Sequence, residues 1–465
     1  WNKMKRREFL KSAGIGTLAL SIPSGLAQAA FGKKKPNIIL IMPDDFGYEC
    51  VTANGGQSYS TPRIDDLAKR GIRFTNCHSQ PVCTPTRVKI MTGKTNARNY
   101  VAFETLNKGE KTFGHIMGTA GYATAIAGKW QLSGRGKEFP GTRPEDSGFD
   151  EYCLWQVDRE SKGSRYWNPN ITQNGKVLKD TDGKYGPDIY SQFLMDFMTR
   201  NKKNPFFIYY PMALTHGPHV PTPDSKEGDS KSKRNTKYFP DMVAYTDKIV
   251  GKMVDHLEEL GIADDTLLLF TGDNGTDKKV TSKFNGKKIR GGKGRSIDAG
   301  THVPLIAYWE GTAPANKLNT DLIDFSDILP TVAEIGGAKI SKDFIVDGVS
   351  FVPQLKGKQG HPKEYIFCHF EKGKYAVEDS GIEKKKKKNK KNKKPKKKKS
   401  DKPEFTRWVR DERWKLYNNG NFYDVITDPD EKSPLPVGDL ASTAEVRRKR
   451  FGSVLAEMAK EIKKH

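Results

Sequence analysis

The stretch "PNIILIMPDDFG", residues 36–47, decides the fold. Asn37–Met42 is an apolar run rich in isoleucine, too short for a helix and bounded by Pro36 and Pro43. Such a run suits a strand buried on both faces, as in a parallel sheet with helices on either side. The same pattern recurs in "YATAIAG" (122–128), "PFFIYYPMAL" (205–214), "TLLLFTG" (266–272) and "VPLIAYW" (303–309). Amphipathic patterns lie between them, most clearly "DMVAYTDKIVGKMVDHLEELG" (241–261), with Gly261 as a C-cap. The expected fold is therefore α/β, a large, mixed, mostly parallel sheet sandwiched by helices.

After about residue 345 the pattern changes. "EYIFCHF", "RWVRDERWKLYN" and "NFYDVITDPDE" are short and aromatic-rich, and "STAEVRRKRFGSVLAEMAKEIKKH" ends the chain as a helix. A small antiparallel sheet with a packed helix is expected over 346–465, after a catalytic domain over 36–345. The lysine block at 384–402 cannot bury apolar surface and is expected to be a disordered insertion between two of these strands.

The chain carries a net charge of +24, of which residues 384–402 contribute +13 and the first thirty residues +4, leaving +7 for the rest. The globular part is thus only mildly basic, and it shows no nucleic-acid recognition motif. Residues 1–30 contain Arg6-Arg7, a short interrupted apolar stretch and Ala27-Gln28-Ala29. This looks like a bacterial twin-arginine signal peptide, which implies the twin-arginine export machinery as a partner and a periplasmic or secreted location. No stretch is apolar enough for a transmembrane anchor. The five cysteines have no zinc-type spacing and do not read as a disulfide framework.

Each predicted strand runs into a polar cluster. "NIILIM" leads to Asp44-Asp45, "YATAIAG" to Lys129, "FFIYYPMAL" to Thr215-His216, and "TLLLFTG" to Asp273-Asn274. Ligand sites of open α/β sheets lie beyond the carboxyl ends of the strands, so these clusters are expected to share one crevice. Asp44, Asp45, Asp273 and Asn274 are hard oxygen donors suited to Ca²⁺, with Mg²⁺ as the alternative. Lys129, Arg87 and Lys293 (in "RGGKG", 290–294) offer cations for an oxyanion, and His216 a proton for a leaving group. Together these suggest hydrolysis of a sulfate or phosphate ester.

"PVCTPTRVKIMTGK" (81–94) places Cys83 just ahead of an apolar helical run. Thr84 reads as an N-cap and Pro85 as the first helical residue. A thiol at a helix mouth, one turn from Arg87, is expected to be shifted towards thiolate, unless it is a small core cysteine beside a capped helix.

These motifs, in this order, resemble the type I, formylglycine-dependent sulfatases of the alkaline phosphatase superfamily. Cys83-Thr84-Pro85-Thr86-Arg87 is similar to the family's C-x-P-x-R signature, followed by Thr92-Gly93. "PNIILIMPDDFG", "GKWQL", "LTHGPHVP", "TGDNG", "RGGKG" and "YDVITDPDEKSPL" also match family segments, from about residue 36 to about 435. The resemblance implies an alkaline phosphatase-like fold and a sulfuric ester hydrolase. It implies that a formylglycine-generating maturation enzyme converts Cys83 to formylglycine, whose hydrate supplies the nucleophile. By the same match Asp44, Asp45, Asp273 and Asn274, with the modified Cys83, would hold Ca²⁺. Arg87 and Lys129 would steady nucleophile and sulfate, and His216 and Lys293 would assist the leaving group. The substrate would be a sulfated small molecule or glycan, with His219, Lys129 and Lys293 contacting it.

The family commonly has histidine where this chain has Gln131, and arginine where it has Lys94. Glutamine hydrogen-bonds but takes no proton near neutral pH, so Gln131 is expected to orient a reacting group, with His219 as the nearest substitute base. The alternatives are a phosphonate or phosphodiester hydrolase of the same superfamily, and an inert polyanion-binding homologue.

Overall fold

The computed structural model describes residues 34–136, 139–158, 163–226, 233–372, 404–438 and 441–462. The segment read as a signal peptide (1–30) and the lysine block (384–402) lie outside the described residues. The described residues from Pro36 onward form one compact unit.

Its centre is a ten-stranded sheet. In chain order the strands are β1 (Asn37–Met42), β2 (Ile72–His78), β3 (Ala123–Lys129), β4 (Glu151–Trp155), β5 (Ile171–Gln173) and β6 (Lys176–Val177). They continue with β7 (Phe206–Pro211), β8 (Thr266–Thr271), a separate hairpin of β9 (Thr281–Phe284) and β10 (Lys287–Arg290), then β11 (Leu305–Tyr308) and β12 (Lys317–Asp324). The order across the sheet is β12-β2-β11-β8-β1-β7-β3-β4-β5-β6. The core from β8 to β4 is parallel, as is the β2–β12 pair.

Both faces of β1 are covered, which explains its uniform apolarity. Ile39 and Ile41 enter one core with Phe239, Ile249 and Met253 of the helix Phe239–Glu259. Ile38, Leu40 and Met42 enter the other with Val88 and Ile90 of the helix Cys83–Thr92 and Leu329 of the helix Ile328–Gly336. Phe239–Glu259 starts two residues earlier than its apolar pattern, with Pro240 in its first turn, and Gly261 follows it at φ +67°.

One central strand gives the sheet its expected mixed character. β11 pairs antiparallel with both β8 and β2. The chain between β8 and β11 carries the β9–β10 hairpin and a four-residue helix, Asp298–Thr301, instead of the long crossover that a parallel return requires.

The C-terminal segment forms the expected antiparallel sheet, β13 (Ile366–Lys372), β14 (Glu404–Arg410), β15 (Trp414–Tyr417) and β16 (Phe422–Asp424) in that order. Phe367, Val409, Leu416 and Phe422 pack on Phe451 and Val454 of the helix Ser442–Lys460. The opposite face, through Ile366, Cys368 and Trp408, joins a cluster with Val82 and Cys83. This small sheet therefore backs the segment that carries Cys83. Among the described residues no helix is long and apolar enough to cross a membrane.

Candidate active site

β8, β1, β7 and β3 are neighbours in the sheet, so the loops after their carboxyl ends meet in one place. Backbone bonds lock these loops together: Asp44 N donates to Leu214 O, Thr215 N to Asp44 O at 2.7 Å, and Asp273 N to Pro43 O at 3.1 Å. Asp45 N donates to Asp273 Oδ1 at 2.9 Å.

Asp44 lies at the centre, fully buried. Its Oδ2 accepts from Lys129 Nζ at 2.8 Å and from Arg165 Nη1 at 3.4 Å, with Arg87 Nη2 at 4.0 Å. Arg87 Nη2 also approaches Asp273 Oδ2 at 3.6 Å, while its Nη1 donates to Lys129 O at 3.0 Å. A second group forms around Asp45, where Lys293 Nζ is 2.9 Å from Oδ1, Asn274 Nδ2 donates to Oδ1 at 2.8 Å, and His216 Nε2 is 3.9 Å from Oδ2. Gly291 and Gly292 bring Lys293 in. A Cβ on Gly291 would meet Asp277 O at 2.2 Å, and one on Gly292 the carbonyl carbon of Ala299 at 2.2 Å.

The charges are unevenly matched. Burial alone would raise the carboxyl pKa of Asp44, but Lys129, His216, Arg87 and Lys293 outweigh it and hold it well below the usual carboxylate range. Asp273 goes the other way, pushed up by burial and by the neighbouring Asp44 and Asp45 against the pull of Arg87. Asp44 Oδ1, Asp273 Oδ2 and Asn274 Oδ1 are buried with no hydrogen-bond donor among the described residues. Asp44, Cys83 and Asp273 each place a potential ligand atom within 4.8 Å of the others, and so do Asp44, Asp45 and His216. Orphaned hard oxygens around crowded carboxylates fit a divalent cation such as Ca²⁺ or Mg²⁺.

Two expectations about Cys83 are corrected. The helix begins at Cys83 itself, with Val82 as its N-cap residue. Thr84 does not cap it; its Oγ1 accepts from Glu104 N at 3.1 Å. Pro85 sits third, where its missing N–H still costs nothing, because the first four N–H groups of a helix lack partners within it. Nor is the thiol activated. Burial pushes its pKa up, and the opposing pull of Lys129 does not reverse this. All five cysteines are buried and free.

Cys83, Arg87, Lys129, His216, Lys293, Asp44, Asp45, Asp273 and Asn274 are thus brought together. Gln131 and His219 are not hydrogen-bonded to this cluster. Gln131, at φ +52°, donates its Nε2 to Glu104 Oε1 at 2.8 Å. The His219 ring meets Phe239 edge-on at 5.3 Å, and burial lowers its pKa. Sequence reading missed Arg165, whose guanidinium stacks on Trp155 at 3.8 Å while reaching Asp44. It also missed Tyr166, whose hydroxyl donates to Ala213 O at 2.8 Å and His216 O at 2.5 Å and so props the histidine loop. "GSRYW" lies in a segment without periodicity, so only its residue types could have flagged it.

Comparison with known proteins agrees with this geometry. A family model described as Sulfatase matches residues 36–338. Arylsulfatase A of Bos taurus is 30% identical over 386 residues, covering 76% of this chain and 74% of the relative. N-acetylgalactosamine-6-sulfatase of Mus musculus is 28% identical over 365 residues, covering 71% and 68%. A solved structure of Ps i-CgsB in complex with k-i-k-neocarrahexaose superposes with a TM-score of 0.72 at 23% identity, covering 92% of this chain and 94% of that one. The chain belongs to the sulfatase family of the alkaline phosphatase superfamily and is a sulfuric ester hydrolase.

Proposed function

We propose that the chain is an exported sulfatase that releases sulfate from sulfated carbohydrate, using a formylglycine made from Cys83 and a divalent cation, Ca²⁺ or Mg²⁺. The observation that carries this reading is the meeting of Cys83 with Asp44 and Asp273 at metal-ligand range, inside a ring of buried cations.

Asp44, Asp45, Asp273 and Asn274, together with position 83, would hold the cation, which when bound polarises oxygen and favours the anionic form of a nucleophile. Formylglycine would supply an oxygen nucleophile where cysteine supplies only a protonated, buried thiol. The cations around the carboxylates fall into two groups, and this division suggests two roles. Lys129 and Arg87, anchored on Asp44 and Asp273 beside Cys83, would steady nucleophile and sulfate. His216 and Lys293, both at Asp45, would serve the leaving oxygen, His216 by giving a proton. Arg165 would share with Lys129 the neutralisation of Asp44.

The carbohydrate part of the reading draws on the relatives and on a cleft. A cavity of about 680 Å³ is lined by Lys94, Lys108, Lys111, Glu110, Phe139 and Phe344. Its cationic excess and two aromatic rings suit a sulfated sugar better than a bare aryl group. Sulfate release from N-acetylgalactosamine 6-sulfate, from sulfated galactan oligosaccharides and from 4-nitrophenyl sulfate, by protein matured in a host with the converting enzyme, tests the reading. Faster turnover of the sugars supports it; hydrolysis of the aryl ester alone contradicts the carbohydrate assignment.

A further inference from the structure

We infer that Glu104 is a positioning residue for the reaction, one that dictates which end of the Gln131 amide faces the interior. The inference rests on the sulfatase reading above and adds Gln131, two residues past Lys129, to the groups that meet the reacting centre.

Three buried residues converge, Glu104, Gln131 and Gln156. Glu104 Oε1 accepts from Gln131 Nε2 at 2.8 Å and from Gln156 Nε2 at 3.3 Å. The Gln131 backbone N–H donates in turn to Gln156 O at 3.2 Å. All three hold left-handed backbone, with φ of +64°, +52° and +55°. That conformation is uncommon for residues other than glycine and persists where the surroundings over-determine it. The group is also tied to the nucleophile segment, because Glu104 N donates to the hydroxyl of Thr84, the residue after Cys83. Gln131 itself lies two residues past Lys129, whose ammonium rests on Asp44. Glu104 therefore spans the space between the Cys83 segment and the end of β3.

A carboxylate only accepts hydrogen bonds. Facing Glu104, each glutamine must turn its nitrogen to the carboxylate and its carbonyl oxygen to the other side. The oxygens so released, Gln131 Oε1 and Gln156 Oε1, are buried with no donor among the described residues. A glutamine free to flip would present donor or acceptor at will. Glu104 removes the choice and leaves Gln131 as a fixed acceptor, able to take a hydrogen bond from a hydroxyl in the reacting centre without taking its proton. The chain thus holds a preset dipole at this position, with its acceptor end fixed.

Glu104→Gln tests this, since it keeps size and shape but offers a donor as well as an acceptor to Gln131. With matured, metal-loaded enzyme and 4-nitrophenyl sulfate, Glu104→Gln and Gln131→Met are each expected to lower kcat roughly 10- to 100-fold, as outer-layer partners of such sites do. The double variant is expected to fall no further than Gln131→Met alone. Multiplicative losses, or a kcat unchanged in Glu104→Gln, overturn the inference and leave the sulfatase reading standing. A Gln131→Met enzyme with wild-type kcat overturns it by removing Gln131 from the reaction. The side-chain NH₂ signals of Gln131 in glutamine-¹⁵N-labelled protein read the bond without any turnover. They are expected to shift in Glu104→Gln, whose melting temperature controls for misfolding, and unmoved signals refute the inference even if the enzyme proves inactive.

Discussion

Lys129 and Asp44 form an ion pair in which neither side chain is exposed, with Nζ 2.8 Å from Oδ2. Asp44 belongs to the set of carboxylates that would hold a cation, so Lys129 moderates that site as well as facing the proposed sulfate. Removing the ammonium leaves Asp44 to Arg165 and Arg87, which stand farther off at 3.4 and 4.0 Å. Lys129→Met is therefore expected to lower kcat about 100- to 1,000-fold, the scale of losing one preorganised charge partner of a transition state. Metal content by elemental analysis is expected to stay near wild type, which distinguishes loss of chemistry from loss of the ion.

Asp273 answers to the opposite imbalance. Burial pushes its carboxyl pKa up, the facing Asp44 and Asp45 add to the rise, and Arg87 and Lys129 do not offset it. A cation that binds only the folded protein raises stability with its concentration. Adding Ca²⁺ to chelator-treated wild type is expected to raise the melting temperature together with activity. Asp273→Asn removes one of the crowded charges, so its metal-free form is expected to melt above metal-free wild type, to respond little to Ca²⁺, and to be nearly inactive. Scanning calorimetry with and without chelator checks all three; a full Ca²⁺ response in the variant excludes Asp273 as a ligand.

Conversion of Cys83 is directly visible. Burial keeps the thiol protonated, so the unmodified side chain is a poor nucleophile and a poor metal ligand. Mass spectrometry of the tryptic peptide Phe74–Arg87 is expected to show an aldehyde in the active protein, and Cys83→Ala is expected to be inert while folding normally. Active protein containing only cysteine would refute the modification.

The helix that carries Cys83 is wholly buried and is pinned from behind. Lys89 Nζ lies 2.7 Å from Asp324 and donates to Phe367 O at 3.2 Å, linking the helix to β12 and β13. Breaking a buried pair by removing one partner typically costs about 3–5 kcal/mol. Lys89→Met is expected to destabilise on that scale in urea denaturation, and Lys89→Met with Asp324→Asn to recover part of the loss.

How much of this was legible in sequence depends on what each residue answers to. β1 and β8 could be read directly because both faces are covered, so every residue reports the same environment. The direction of β11 could not, since it depends on whether a helix or a hairpin fills residues 273–304, and an apolar run carries no direction. That nine of these side chains would meet was legible because strand ends and short motifs announce them. Arg165 and Glu104 were not. Arg165 meets Asp44 across 121 residues and Glu104 meets Gln131 across 27, both from aperiodic segments whose side chains acquire meaning only through the fold. The start of the Cys83 helix was misplaced for a local reason: proline is tolerated throughout the first turn, so Pro85 marks that turn without fixing its beginning.

The cleft beside Thr105 bears on substrate choice. Lys94 is already committed, paired with Glu110 at 2.7 Å and placed over the Phe344 ring at 5.1 Å. Lys108 and Lys111 are exposed and line the same cavity, so they are the groups available to a second anionic unit of a polymer. Exposed charges act through a screened field, and a polyanion responds to their sum. Lys108→Glu combined with Lys111→Glu is therefore expected to lower kcat/KM for a sulfated tetrasaccharide at least about tenfold more than for 4-nitrophenyl sulfate, at low ionic strength. The difference is expected to shrink as salt rises from 20 to 300 mM, about a fourfold drop in Debye length. The loss should appear mainly in KM, because among the described residues neither lysine is bonded to the cluster around Asp44 and Cys83, and both would hold substrate without stabilising its reaction. A tetrasaccharide-to-aryl ratio that does not move, at any salt, would assign the cleft no part in glycan binding and leave selection to the loops around His219 and Lys293.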